Sequence, residues 1–117
     1  MVFSQEVFQE TRDTQLMKRA KIDAASRGEN TLVAAVTGKK IRVLAAFFTM
    51  TGTAVTIRFE DGAGGTALTG QMGPTAGQAI VLPFKPGGWF ETSDATRLNM
   101  ELSGSQSVDG ALVYIEA

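Results

Sequence analysis

Apolar and polar residues alternate with a period of two through most of this chain, and glycine-rich turns interrupt the alternation at short spacing. Val55, Ile57 and Phe59 oppose Thr56, Arg58 and Glu60. Leu98, Met100 and Leu102 repeat the pattern within 97–103, and Ala20, Ile22 and Ala24 do so against Arg19, Lys21 and Asp23. Side chains of a strand point alternately to its two faces, so this period predicts strands with one face buried. The spacing predicts further strands over 31–36, 40–50, 66–69, 78–84 and 108–117, with 31–36 and 40–50 as a hairpin closed by Thr37-Gly38-Lys39. Pro83 and Pro86 stop the 78–84 strand, because proline has no N–H for a ladder. Ser26 and Glu29 imitate a capping box, but Gly28 and the β-branched run that follows argue against a helix. About eight strands predict an all-β protein, an antiparallel β-sandwich of jelly-roll-like type. An immunoglobulin-like strand order would give the same alternation.

One strand breaks the rule. Val43 to Met50, VLAAFFTM, is apolar in both phases: Val43, Ala45 and Phe47 in one, Leu44, Ala46 and Phe48 in the other. A two-layer domain offers one core, so the second face needs a cover from elsewhere in the chain or from another subunit. Leaving a Phe in water forgoes roughly 1.5–3 kcal/mol. Leu44, Phe47 and Phe48 are therefore expected at an oligomer or shell interface. Val55, Ile57, Phe59, Leu98, Met100 and Leu102 are expected in the core, with Trp89 and Phe90 folding back on it from the Gly87-Gly88 corner.

Residues 1–16 are different. Val2, Phe3, Val7, Phe8 and Leu16 stand among Gln, Glu, Thr, Arg and Asp, which marks an N-terminal arm, extended or with a brief helical turn. Phe3, Val7 and Phe8 are its candidate contacts. Residues 17–117 form the sandwich domain.

Composition narrows the function classes. At 117 residues, 44% hydrophobic and 20% charged, the chain is one folded domain. Its net charge of −1 gives no pull toward nucleic acid or an anionic membrane surface, and neither is expected as a partner. No apolar run is long enough for a spanning helix, and MVFSQEVFQE is too acidic and broken for a signal peptide. The chain contains no cysteine and no histidine, which removes thiolate chemistry and the commonest general base and transition-metal ligand.

The remaining chemical look-alikes are weak. Gly62 to Ala67 fits G-x-G-x-x-A, but the following LTGQMGP cannot build the helix that would hold a pyrophosphate. Gly38-Lys39 lacks the first glycine and the Ser or Thr of a P-loop. Glu60-Asp61 offers hard oxygens for calcium, yet no acidic neighbour lies close in sequence, so a solvated hairpin end is expected there. Glu91 and Asp94 are expected to be surface carboxylates, and Trp89, Phe90 and Tyr114 are the residues available for a sugar-stacking platform. No enzyme, cofactor or metal is expected.

The runs NTLVAAVTGKKIRVLAAFF, VTIRFEDGAGGTALTGQM, IVLPFKPGGWFET and LNMELSGSQSVDGALVYIE resemble small β-sandwich virion proteins of tailed bacteriophages and prophages. The likeness covers about residues 20–117; its most distinctive parts are Thr37–Val43, Leu82-Pro83-Phe84 and Gly88–Thr92. It implies a capsid decoration (cement) protein that is made in the host cytoplasm and sits on the capsid exterior. Its implied partners are further copies of itself, a trimer by analogy, and the major capsid protein. It implies no catalytic residues. The alternative is a tail or fibre module binding a host-surface glycan or receptor.

Overall fold

The computed structural model describes residues 16–52 and 55–117. All regular structure among them is strand: β1 Lys18–Ala24, β2 Gly28–Val33, β3 Ile41–Met50, β4 Ile57–Asp61, β5 Thr66–Ala67, β6 Ala79–Leu82, β7 Phe90–Glu91, β8 Leu98–Leu102 and β9 Val108–Glu116. One antiparallel sheet runs β1-β9-β3-β6, with the short β7 also pairing β3; the second runs β2-β8-β4-β5. First pairs with last, second with second-to-last, and the innermost strands close the roll. With β7 set aside, this is the strand order of a jelly roll, a long antiparallel ribbon rolled into two packed sheets.

The order corrects one expected pairing. The segments 31–36 and 40–50 do not form a hairpin: β2 pairs β8 and β3 pairs β9, in opposite sheets. The turn at 37–39 is real, closed by Lys39 N–H to Val36 O at 3.0 Å, but it carries the chain between layers. Local alternation cannot distinguish a turn within a sheet from a crossover between sheets. Residues 1–15, which include the proposed contacts Phe3, Val7 and Phe8, lie outside the described residues.

The core lies where the period of two places it. Val55, Ile57, Phe59, Leu98, Met100 and Leu102 are all buried in one cluster with Ile22, Val43, Met50 and Leu112. Phe59 is its centre, edge-on to Phe48 at 5.8 Å between ring centroids and tilted against Phe90 at 4.8 Å. Such aromatic pairs add to the burial of their area.

Strand β3 resolves its double apolar character in an unexpected way. A β-bulge shifts its register with β9 between Val43 and Ala45. A bulge inserts one residue against none on the partner strand, so the inward phase changes there. Ile41 and Val43 face the core before it; Ala46, Phe48 and Met50 face the core after it. Val43 therefore shares a face with Phe48 instead of Phe47. Leu44 and Phe48 are each only 1% exposed, so neither is available as an interface residue, contrary to expectation. Leu44 lies outside the main core cluster, in the segment clasped by the 83–89 loop through Lys85 N–H to Leu44 O at 2.9 Å and Trp89 N–H to Val43 O at 2.8 Å. Phe47 alone of the three stays outside, 57% exposed.

Trp89 is the second correction. It is 41% exposed and not a core residue, whereas Phe90 beside it packs inward. Its indole N–H donates to Pro83 O at 2.8 Å, and the Lys85 ammonium sits 5.2 Å from its ring centroid. Gly88 (φ +84°) makes the corner possible, since a Cβ there would lie 2.5 Å from Arg42 Cγ.

Candidate functional site

Two outer surfaces carry features that a bare sandwich does not need. The first is the outer face of the β1-β9-β3-β6 sheet. In register across it lie Lys21, Ala111, Phe47 and Val81. Arg19, Val113 and Ala45 form the adjacent row. Phe47 and Val81 project into solvent, flanked by small alanines, and with Ala45 and Val113 they line an apolar groove of about 280 Å³ with Arg19 at its margin. Outward residues on a solvated antiparallel face are ordinarily polar. Among the interface candidates that are described, Phe47 alone is exposed, and Val81, Ala45 and Val113 line the groove beside it. Val81 was hidden in sequence by the apolar run AIVL, in which inward and outward residues look alike.

The second surface is the outer face of the β2-β8-β4-β5 sheet. Glu29, Glu101 and Arg58 lie in one row across three strands, and Asn99 and Glu60 are partners in the next. Oxygen atoms of Glu29, Glu60 and Glu101 all lie within 4.8 Å of one another. Glu60 is 0% exposed, so it is not the solvated hairpin end expected from sequence. Its acidic neighbours come from other strands, 31 and 41 residues away in the chain. No local spacing rule would have found them. Arg58 donates to Glu60 Oε2 at 2.8 Å and to Glu101 Oε2 at 3.3 Å. The Asn99 amide donates to Glu29 Oε1 at 3.0 Å.

Burial, then the hydrogen bond and charge of Glu29, push Glu60 up to about 7 against the opposing pull of Arg58. Burial also pushes Glu29 up, but hydrogen bonds from Glu60, the Asn99 amide and the Gly64 N–H hold it below its ordinary value. The physical content is a carboxylic acid, Glu60, donating its proton toward a carboxylate, Glu29. The folded state then retains a proton that the unfolded chain releases near 4.5. Stability from this group is complete below about 4.5 and is lost as pH rises through about 7. A thermal melt series in chelator should show Tm falling between pH 5 and 8, equivalent to roughly 1–2 kcal/mol. Glu60→Gln should flatten that slope; a slope unchanged in the variant would place its origin elsewhere.

The other candidates are structural. Glu91 pairs with Arg42 at 3.0 Å on the surface. Residues 62–67, the G-x-G-x-x-A match, form the turn into β5 with no helix after it. Trp89, Phe90 and Tyr114 make no stacking platform, because Phe90 and Tyr114 pack against the core and Lys85 lies over the Trp89 ring. An apolar cavity of about 160 Å³ beneath Phe90, Met72 and Leu68 is smaller than the usual small-molecule site. Comparison of the chain with protein-family models, curated proteins and solved structures finds no match.

Proposed function

We propose that this protein is a bacteriophage virion structural protein, a capsid decoration protein that stabilises the major capsid shell by assembling on it. The observation that carries the reading is the apolar groove around Phe47 on an outer sheet face. Exposed apolar area of this kind, framed by charged residues, is the ordinary mark of a protein contact surface. The resemblance read from the sequence of residues 20–117 points to the same setting, and jelly rolls recur in viral capsid domains as well as in lectins. Fold alone does not assign function. The choice between shell and glycan rests on the surface: the apolar face favours protein contact, while Phe90 and Tyr114 pack against the core and Trp89 has Lys85 over one side of its ring. In this reading copies associate with closed symmetry, a trimer by analogy, and Phe3, Val7 and Phe8 supply a second contact.

Purified protein added to undecorated heads should raise their resistance to heat or low salt, and Phe47→Asp should bind them at least tenfold more weakly. Heads that melt identically with and without the wild-type protein would remove the reading.

A further inference from the structure

We propose that Glu29, Glu60, Glu101 and Asn99 form a binding site for a hard divalent cation of the calcium type on the outer face of the β2-β8-β4-β5 sheet. The inference is independent of the assembly reading, since it concerns the opposite sheet.

Three observations carry it. The carboxyl oxygens of the three glutamates converge within 4.8 Å although they come from three strands, β2, β4 and β8. Glu29 and Glu101 stand directly opposite each other, an arrangement that costs stability in a sheet unless something between them compensates. Most tellingly, Asn99 is not acidic, is 0% exposed, and donates its amide N–H to Glu29 at 3.0 Å, yet its Oδ1 has no hydrogen-bond partner among the described residues. Among the described residues no donor faces the buried Glu60 Oε1 either; with Oε2 held by Arg58, it is the oxygen that carries the proton shared with Glu29 or, once that proton is displaced, meets an ion. Unsatisfied buried oxygens are rare in folded proteins and call for a donor or an ion.

Charge and donor type agree. Arg58 is the sole cation in contact with the cluster among the described residues, and it takes one oxygen each of Glu60 and Glu101. Fully ionised, three carboxylates less one guanidinium carry two negative charges, the complement of a divalent ion that takes the place of the proton held between Glu60 and Glu29. The oxygens not engaged by Arg58 or by the Asn99 N–H are Glu60 Oε1, Glu101 Oε1, Glu29 Oε2 and Asn99 Oδ1. One oxygen from each of the three glutamates, with Asn99 Oδ1 and water available to complete the shell, suits calcium, which accepts six to eight flexible oxygen ligands. Access is from the Glu29 side, where that residue is exposed, while Glu60 forms the buried floor. A sheet gives the ligands rigid mounting, and the DGAGG turn approaches Glu29 through the Gly64 N–H.

The test uses the full chain, stripped with chelator and dialysed at pH 8. Calcium chloride, magnesium chloride and ionic-strength-matched sodium chloride are titrated while Tm is followed. Calcium in large excess over its Kd should raise Tm by roughly 5–10 °C, well beyond sodium. Amide shifts in a ¹⁵N spectrum should cluster at residues 29, 60, 99 and 101. Glu60→Gln should fold at least as stably as the wild type without calcium and lose the calcium response, while Asp109→Asn, on the other sheet, should keep it. A wild-type Tm that follows sodium alone overturns the site. So does a calcium response that persists undiminished in Glu60→Gln.

Discussion

Phe48→Asp is expected to leave no cooperatively folded protein, whereas Phe47→Asp, one residue away, is expected to fold with nearly wild-type stability. The Phe48 ring is buried and packs edge-on to Phe59, so its removal costs about 3–5 kcal/mol from the cavity alone. An unpaired carboxylate in that position adds a desolvation cost of several kcal/mol. Together these match or exceed the roughly 5–15 kcal/mol by which a domain of this size is stable. The Phe47 side chain points into the outer groove, so an aspartate there meets water and loses little. Circular dichroism melts separate the two variants. Light scattering on Phe47→Asp then reads assembly, because the variant remains folded: a smaller mass than wild type is expected. A folded Phe48→Asp would mean that the bulge at Val43–Ala45 does not set the phase of β3.

Gly110→Ala is expected to destabilise the protein by about 3 kcal/mol, although glycine to alanine in a strand usually helps. Gly110 lies on β9 opposite Phe48, and a Cβ there would sit 1.9 Å from the Phe47 carbonyl oxygen and 2.7 Å from Phe48 Cα. Both obstacles are backbone, which cannot rotate away as a side chain would. Relief requires β9 and β3 to separate, and these are the two central strands of their sheet. Gly70→Ala is the control: nothing lies within 4 Å of a Cβ there, and the change should be neutral or slightly stabilising. Urea midpoints of the two variants measured side by side check the difference; equal midpoints would show that the strands yield easily.

These variants also mark how far local reasoning reaches. The inward positions of β4 and β8 were legible because each strand keeps one phase from end to end. Val55, Ile57, Phe59, Leu98, Met100 and Leu102 needed no tertiary information beyond the existence of a core. The phase of strand β3 is not legible in this way, because a bulge is a pairing event between two strands: nothing in VLAAFFTM records that the register with β9 shifts there. Trp89 and Phe90 are adjacent and alike in hydrophobicity, and only the corner geometry sends one inward and leaves the other over Lys85.

The acidic cluster shows the same divide more sharply. Glu60 reads as one more outward polar residue of an alternating strand, and its phase is correct: it does lie on the outer face. Its burial, its proton and its neighbours come from Glu29, Asn99 and Glu101 on β2 and β8, which approach only because the roll places second strand beside second-to-last. The all-β class, most of the core and the absence of thiol and imidazole chemistry follow from residue type and from a period of two. The three-dimensional arrangement alone decided which apolar residues remain wet and which carboxylates meet, because strand pairing joins positions whose separation along the chain carries no local signal.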